Sequence, residues 1–127
     1  MAKILIVEDE NLLADLYKDK FAEEGMEADI AHSAEEAMEY LKTKEAPNLI
    51  LLDILLPREN GISFLKEMKE HKELPEIPVV AFSNYDEPQT KADAFKLGVK
   101  AYLLKAKYTP TEMVEAIKNF LSSADDE

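Results

Sequence analysis

The sequence predicts a three-layer α/β fold, in which one parallel β-sheet is covered by α-helices on both faces. Short apolar runs alternate with amphipathic stretches five times along the 127 residues. Three of the runs are almost wholly apolar and contain β-branched residues, as expected for parallel strands that are buried on both faces. A chain of this length has room for one core, and strands joined by helices favour right-handed crossovers within one sheet.

The apolar runs give the predicted strands in chain order. They are Lys3–Val7, Glu27–His32, Leu49–Leu52, Val79–Phe82 and Ala101–Leu104. The residues between them recur at helical spacing, which predicts five helices that each present an apolar stripe to the sheet. The predicted stripes are Leu13, Leu16, Tyr17 and Phe21; Ala34, Ala37, Met38 and Leu41; Phe64, Leu65 and Met68; Phe95 and Leu97; and Met113, Val114, Ile117 and Leu121.

Capping and stop signals set the predicted helix ends. Ser33 followed by Glu36 forms a capping box for the second helix. Asp86 is the expected N-cap of the fourth helix, with Pro88 in its first turn. The third helix is expected to open near Asn60-Gly61 and the fifth at Thr109-Pro110, while Gly25 and Gly98 close the first and fourth. We expect one domain over residues 1–122 and a frayed acidic tail over 123–127.

Composition excludes several classes of function. The formal net charge is −12, which disfavours direct binding to nucleic acid and to anionic membranes. The chain has no cysteine, so disulfides, thiolate chemistry and cysteine-based zinc sites are absent. No apolar run approaches ~20 residues, and the N-terminus lacks a signal-peptide pattern, so we expect a cytoplasmic protein.

Charged and polar residues follow the predicted strands where the strands end. The first strand runs into Glu8-Asp9-Glu10, and Asp53, Ser83 and Lys105 follow the third, fourth and fifth strands. In an open parallel sheet, binding sites form beyond the carboxyl ends of the strands. Any one of these residues alone would be an ordinary solvated strand end, but their convergence on one edge of one sheet indicates a site.

The chemistry of this cluster points to phosphoryl transfer. Carboxylates brought together without a countercharge repel one another, and Mg²⁺ with oxygen ligands relieves that repulsion. Lys105 adds a second positive charge, and Ser83 offers a hydroxyl that can donate to an anion. Charge neutralisation and positioning do nearly all the catalysis in phosphoryl transfer. Asp53 is then the expected nucleophile, which would form an aspartyl phosphate.

These motifs resemble the receiver domain of two-component response regulators, over residues 3 to about 121. The motifs are Ile4-Leu5-Ile6-Val7-Glu8-Asp9-Glu10, Leu51-Leu52-Asp53-Ile54-Leu55-Leu56-Pro57 with Gly61, and then Ser83 and Lys105. The resemblance implies a flavodoxin-like (βα)5 doubly wound sheet with strand order 2-1-3-4-5. It implies a phosphoacceptor protein of the stand-alone type, which catalyses only its own phosphorylation and dephosphorylation and is not otherwise an enzyme.

The resemblance also implies a role for each site residue. Asp53 is the phosphoacceptor, and Lys105 binds the phosphoryl group. Mg²⁺ is held by Glu8, Asp9, Asp53 and the backbone carbonyl of Leu55, with no other cofactor. Ser83 and Tyr102 are the switch residues.

The implied partners are proteins. The phosphodonor is a sensor histidine kinase or a histidine phosphotransfer protein. The output is a downstream protein target or a homodimer, through the face formed by the fourth helix, fifth strand and fifth helix.

Two positions depart from the family pattern. The family usually has a cis proline after the lysine, whereas this chain has Ala106. A non-proline cis bond costs about 3–4 kcal/mol, which leaves a trans peptide and a strained cis peptide both open. The residue after the switch hydroxyl is usually small, whereas this chain has Asn84, which would narrow access to the site.

Other functions stay open at the level of the sequence. A Mg²⁺-dependent phosphohydrolase of the haloacid-dehalogenase type would need a second aspartate where this chain has Leu55, together with a cap domain. A flavodoxin-like binding module would need a phosphate loop where the chain has Glu8-Asp9-Glu10. A pseudo-receiver would act by binding alone, although all the reacting residues are present. His32 has no partner at metal-ligand spacing and is expected to be a strand-end side chain near the surface.

Overall fold

The central sheet is flanked by helices that alternate with the strands along the chain. A computed structural model describes residues 2–56, 60–84 and 86–125. The strands are β1 (Lys3–Val7), β2 (Glu27–Ala31), β3 (Leu49–Asp53), β4 (Val79–Ser83) and β5 (Ala101–Leu104). The helices are α1 (Asn11–Glu23), α2 (Ala34–Thr43), α3 (Gly61–Glu70), α4 (Pro88–Lys96) and α5 (Pro110–Asp125). A short 3₁₀ turn, Lys105–Lys107, follows β5.

All neighbouring strands pair in parallel, in the order β2-β1-β3-β4-β5. This confirms the predicted flavodoxin-like topology. Helices α1 and α5 pack together on one face of the sheet, while α2, α3 and α4 form the layer on the other. The strand order reverses at β1 and β3, so the carboxyl ends of those two central strands face the crevice where ligands bind in such folds.

Alternation along the strands divides the interior into two cores. In β1, Ile4 and Ile6 pack toward α1 and α5, while Leu5 and Val7 pack toward α2 and α3. Side chains on successive strand residues point to opposite faces, so a strand between two helical layers must be apolar at every position. The five residues of β3 are accordingly all buried, and the last of them is Asp53.

The helix caps follow the predictions except at α4. The Ser33 hydroxyl accepts from the Glu36 N–H at 3.1 Å, and Asn60 caps α3 by accepting from the Ser63 N–H at 2.9 Å. The N-cap of α4 is Glu87, so the prediction of Asp86 was wrong by one residue. Proline is favoured at the first helical position, and Pro88 occupies it, which assigns the cap to the residue directly before it.

Two predicted core residues lie on the surface instead. Leu16 is 40% exposed because the buried face of α1 runs through Ala14, Tyr17 and Phe21. Phe95 is 50% exposed, and the residue of α4 that is buried is Ala94. A small residue there lets the short helix lie close to the sheet, which turns Phe95 outward.

Glycines sit where other residues would meet strain or steric clash. Gly25 and Gly98 have φ values of +77° and +98°, as is usual just past a helix end. Gly61 is needed for a different reason, because a Cβ there would lie 2.8 Å from the Ile54 Cα atom and 3.0 Å from the Asp53 carbonyl oxygen. Gly61 therefore lets the start of α3 pack directly against the chain that leaves β3.

The connection after β5 takes the trans form. Every peptide bond in the described ranges is trans, including the bond between Lys105 and Ala106. Helix α5 continues to Asp125, which lies within the expected tail of residues 123–127, and the last two residues of the chain lie outside the described ranges. Within those ranges, none of the helices combines the length and the apolar character that crossing a bilayer requires.

Candidate functional site

The predicted site residues lie at one edge of the sheet, at the carboxyl ends of β1, β3, β4 and β5. Asp53 is the last residue of β3 and lies opposite Phe82 of β4. Ser83 is the last residue of β4 and lies opposite Leu104, directly before Lys105. Glu8 follows the last residue of β1. The parallel register therefore brings residues that are far apart in sequence into one cluster.

Lys105 forms the centre of the hydrogen-bond network in this cluster. Its Nζ atom donates to Glu8 Oε1 at 2.6 Å and to Asp53 Oδ2 at 2.9 Å. The two carboxylate side chains are 0% and 5% exposed, and that of Lys105 is 13% exposed. Two acidic side chains can be buried this far because one ammonium group serves both.

Backbone amides hold the other oxygens of the two carboxylates. The Leu55 N–H donates to Asp53 Oδ1 at 3.0 Å, and the Glu10 N–H donates to Glu8 Oε2 at 3.2 Å. Both bonds join a side chain to the main chain two residues later, so each carboxylate is fixed by the loop that follows its own strand. The Leu55 side chain is 49% exposed beside the site, and the predicted role of its carbonyl as a metal ligand stays a prediction.

An aromatic side chain lies against Lys105 from within the core. Nζ of Lys105 lies 4.8 Å from the centroid of the Phe82 ring, and Phe82 in turn packs edge-on against Tyr17 at a centroid distance of 5.5 Å. A cation over an aromatic face is attracted by the ring quadrupole, which is stronger where water is excluded. Phe82 thus supports the ammonium group. No sequence signal indicates this contribution, because the pattern predicts only a core strand residue at Phe82.

Burial changes the protonation behaviour of the site. Burial raises the pKa of the Glu8 carboxyl to about 7, although the neighbouring Lys105 pulls it in the opposite direction. Burial disfavours the charge on Lys105, but its hydrogen bonds to Glu8 and Asp53 outweigh that effect and raise the pKa of Lys105 above its ordinary value. Lys105 is accordingly charged at neutral pH and is the countercharge of the cluster.

Glu8, Asp9 and Asp53 can offer oxygens to a metal ion. One carboxylate oxygen from each residue lies within 4.8 Å of the others, with Glu8 and Asp53 buried and Asp9 exposed. When all three are ionised, Lys105 offsets one of the three charges, which leaves two negative charges in the cluster. Carboxylate oxygens beside solvent are the ligands that Mg²⁺ prefers, so the donor set and the charge both fit a divalent cation.

Ser83 and Tyr102, the predicted switch residues, lie on the two strands next to Asp53. Ser83 is fully buried at the end of β4. Tyr102 is half-buried on β5, where it packs against the core on the α4 side, and the Lys91 Nζ atom lies 5.7 Å from the centroid of its ring. Lys91 also pairs with Asp86 at 2.5 Å, so one lysine of α4 contacts both the chain after β4 and the aromatic ring on β5.

His32 is a half-buried residue at the end of β2, as expected, but it also contacts the main chain of the site, which was not predicted. Strand β2 ends at Ala31, and the His32 Nδ1 atom lies 3.2 Å from the carbonyl oxygen of Glu8. The sequence offered no spacing signal for this contact, because the two residues are 24 positions apart and meet only through the pairing of β1 with β2.

Comparisons with known proteins agree with this geometry. The family described as the response regulator receiver domain matches residues 4–118. The polar-differentiation response regulator DivK of Brucella ovis is 33% identical over 121 residues, which span 95% of this chain and 97% of DivK.

Solved structures with the same fold include receiver domains. The CheY-like receiver domain protein from Methanospirillum hungatei has a TM-score of 0.88 at 27% identity, with 99% of this chain and 98% of that chain covered. The phosphorylated cyanobacterial phytochrome response regulator RcpA has a TM-score of 0.84 at 29% identity, with 97% and 95% covered. Because the family matches residues 4–118 of the 127 residues, this chain belongs to the response regulator receiver domains of two-component signalling systems.

Proposed function

We propose that this receiver domain accepts one phosphoryl group on Asp53, with Mg²⁺, and passes the resulting change to a protein partner. The observation that carries the proposal is the position of Lys105, whose ammonium group bridges Asp53 and Glu8 beside the exposed carboxylate of Asp9. The site thus combines a buried carboxylate, a fixed cation and a set of oxygen ligands around one small space.

The proposed donor is a phosphohistidine on a sensor histidine kinase or a histidine phosphotransfer protein. A carboxylate oxygen of Asp53 forms the new O–P bond while the P–N bond of the phosphohistidine breaks, and the electron pair of that bond returns to the imidazole nitrogen. Bound Mg²⁺, held by Glu8, Asp9, Asp53 and the Leu55 carbonyl, would supply positive charge beside the phosphoryl oxygens. We also propose a cytoplasmic location, where such a donor would meet this chain.

In this proposal the partners of Lys105 change when Asp53 is phosphorylated. Before phosphorylation, its ammonium group pairs with Glu8 and Asp53. Afterwards, the phosphoryl oxygens on Asp53 offer it a more highly charged acceptor, and charge-assisted bonds of this kind are among the strongest hydrogen bonds in proteins. Ser83 would supply the hydroxyl donor on the adjacent strand, and a shift of Ser83 would be transmitted to Tyr102 on β5.

The surface formed by α4, β5 and α5 is the proposed output face, for a downstream protein or for a second copy of the chain. It exposes half of Phe95, and it carries the contact between Lys91 and Tyr102. We propose no direct contact with nucleic acid or membrane, since the net charge of −12 opposes both. The chain catalyses only the gain and loss of its own phosphoryl group and is not otherwise an enzyme.

The alternatives considered from the sequence have less support. The residue at the position of the second aspartate of a phosphohydrolase is Leu55, whose half-exposed side chain offers no proton. A pseudo-receiver needs none of the reacting groups, yet Asp53 and Lys105 are hydrogen-bonded to each other. These observations favour the phosphoacceptor.

The test is phosphorylation of the purified protein by a small phosphodonor such as acetyl phosphate, and separately by a histidine-phosphorylated partner, both with Mg²⁺. We expect intact-mass measurement to find one added phosphoryl group on the wild type and none on Asp53→Asn. Asp19→Asn is the matched control, because Asp19 is an exposed aspartate of α1 and should leave labelling unchanged. Labelling of Asp53→Asn at the wild-type level would remove Asp53 from the proposed role.

A further inference from the structure

The His32 ring is hydrogen-bonded to the main chain of Glu8. The Nδ1 atom and the Glu8 carbonyl oxygen are 3.2 Å apart. A carbonyl oxygen can only accept, so Nδ1 carries the hydrogen and donates it. That condition holds for the imidazolium and for the neutral ring with its hydrogen on Nδ1, so the bond fixes the tautomer rather than depending on the charge of the ring.

The carboxyl end of β2 therefore holds both peptide groups of Glu8. The Glu8 N–H donates to the Ala31 carbonyl at 3.0 Å, and the Glu8 carbonyl accepts from His32, the next residue. Strand β1 ends at Val7, so Glu8 is the first residue beyond the strand. The bond to the Ala31 carbonyl joins main chain to main chain and does not depend on the side chain at position 32, whereas the bond from His32 does.

The position of the Glu8 main chain determines where the Glu8 carboxylate lies. One oxygen of that carboxylate accepts from Lys105 at 2.6 Å, and the other from the Glu10 N–H at 3.2 Å. The same group must lie close to the carboxylates of Asp9 and Asp53, whose oxygens are within 4.8 Å of it. Asp9 directly follows the Glu8 carbonyl, so a rotation of that peptide group would move the exposed ligand as well as the buried one.

We propose that His32 is a positioning residue for the cation site. It holds the Glu8–Asp9 peptide group against β2, so that the carboxylates of Glu8 and Asp9 converge before the metal ion arrives. His32 itself contacts neither the phosphoryl group nor the metal ion. The inference rests on the proposed function, because it assigns Mg²⁺ to the Glu8, Asp9 and Asp53 cluster.

Three substitutions of His32 distinguish the effect of losing the hydrogen bond from the effect of losing the ring. His32→Asn places an amide nitrogen where Nδ1 lies, His32→Gln places it where Nε2 lies, and His32→Leu has no donor. We expect Mg²⁺ affinity, measured by titration calorimetry, to fall about tenfold in the Leu and Gln variants, as is common when a partner that orients a metal ligand is lost. The Asn variant should regain wild-type affinity. His71→Leu is the control, because His71 caps α3 and pairs with Glu73 away from the site.

Hydrogen exchange of the Glu8 amide in the metal-free proteins is the second readout. We expect faster exchange in the Leu and Gln variants than in the wild type and the Asn variant, since the Glu8 peptide groups lose one of their two tethers. Far-UV circular dichroism checks that each variant is folded.

The outcomes separate this inference from the proposed function. Wild-type Mg²⁺ affinity in a folded His32→Leu variant would overturn the role of His32 and leave the phosphoacceptor proposal standing. An Asn variant as weak as the Leu variant would also overturn it, because the donor would not be the cause. A wild-type protein that binds no Mg²⁺ would defeat the metal assignment and the His32 inference together.

Discussion

Lys105 balances two buried carboxylates, so its removal should change the charge of the site more than its packing. We expect Lys105→Met to lower the free energy of unfolding of the metal-free protein by about 3 kcal/mol, because Glu8 and Asp53 then lose their shared cation. Saturating Mg²⁺ should narrow the difference from the wild type, because a divalent ion replaces the lost charge. Urea unfolding with Mg²⁺ and with a chelator measures both effects.

The Glu8→Gln, Lys105→Met double variant is the control for this prediction. It removes one carboxylate together with the ammonium group, so its loss of stability should be smaller than the sum of the two single losses. Additive losses, or a Lys105→Met variant that Mg²⁺ stabilises no more than the wild type, would show that Lys105 does not act as the countercharge.

Leu55 bears on how long an aspartyl phosphate lasts. Its side chain is half exposed two residues after Asp53, and its N–H is bonded to the Asp53 carboxylate, so it lies at the mouth of the site. Hydrolysis needs a water held in line behind phosphorus, and leucine cannot hydrogen-bond one. Tyr85, two residues after Ser83, is the second position that the family resemblance indicates for this task, and it lies outside the described residues.

We therefore expect slow hydrolysis in the wild type and decay roughly tenfold faster in a Leu55→Asn, Tyr85→Glu variant, whose polar groups can orient water. The measurement is loss of phosphorylated protein over time by intact mass, at equal Mg²⁺. Leu12→Asn is a matched control, since Leu12 is an exposed leucine of α1. Equal lifetimes in the wild type and the double variant would place the control of hydrolysis elsewhere.

At the scale of single elements, β2 is joined to α2 by a partly exposed hydrogen-bond network around Asp29. The Tyr40 hydroxyl donates to Asp29 Oδ2 at 2.6 Å, and the Lys3 Nζ atom lies 3.4 Å from the same oxygen. The hydrogen bond from Tyr40, followed by that from Lys3, lowers the pKa of the Asp29 carboxyl below its ordinary value of 3.8, against the opposing effect of burial. The network therefore ties strand β2, helix α2 and strand β1 together through one charge.

This network predicts a dependence of stability on pH. A lowered pKa in the folded state adds stability above pH 3.8, and that stability is lost as the pH falls through the folded value. Asp29→Asn should therefore be less stable than the wild type at neutral pH, with the difference shrinking in acid. The Asp29 side chain is 37% exposed, so solvent screening limits the loss to about 0.5 kcal/mol.

Urea unfolding at several pH values measures this difference. Tyr40→Phe is the companion variant, because it keeps the ring and removes the hydroxyl that is the largest cause of the shift. A difference between Asp29→Asn and the wild type that stays constant down to acid pH would mean that the carboxylate charge contributes nothing.

At the scale of the whole molecule, acidic residues far outnumber basic ones. The formal net charge of −12 is spread over a small domain, so the folded chain repels itself. We expect the free energy of unfolding of the metal-free protein to rise by about 1 kcal/mol between low and high NaCl, because salt shortens the Debye length from ~10 Å at 0.1 M to ~3 Å at 1 M. Urea, which is uncharged, is the denaturant for this measurement.

A Glu45→Gln, Glu76→Gln variant tests the origin of the salt response. Both residues are exposed and lie in loops away from the cation site, and their replacement changes the net charge from −12 to −10. A smaller salt response is expected in this variant. Stability that falls with added NaCl would indicate that attractive ion pairs, rather than net repulsion, dominate the electrostatics of the fold.

The sequence by itself predicted a parallel sheet and the gathering of the candidate site residues at one edge, and the family resemblance added the order of the strands. Alternating apolar runs and helical stripes predict five parallel strands. A parallel sheet brings the carboxyl ends of its strands to one edge, which is why the sequence predicts that Asp53, Ser83 and Lys105 lie together. The N-caps at Ser33 and Asn60 were also predictable, because a cap bond joins residues only three positions apart in the sequence.

Only the tertiary structure decided which neighbours those residues have. The contacts of His32 with Glu8 and of Phe82 with Lys105 join residues on different elements, so their spacing in sequence carries no signal. The same limit explains Phe95, whose apolar side chain fits a core stripe by periodicity but turns outward because Ala94 takes the closest approach to the sheet. Periodicity fixes which face of a helix is apolar to within about one residue, whereas the packing of three layers against each other selects the residue that is buried.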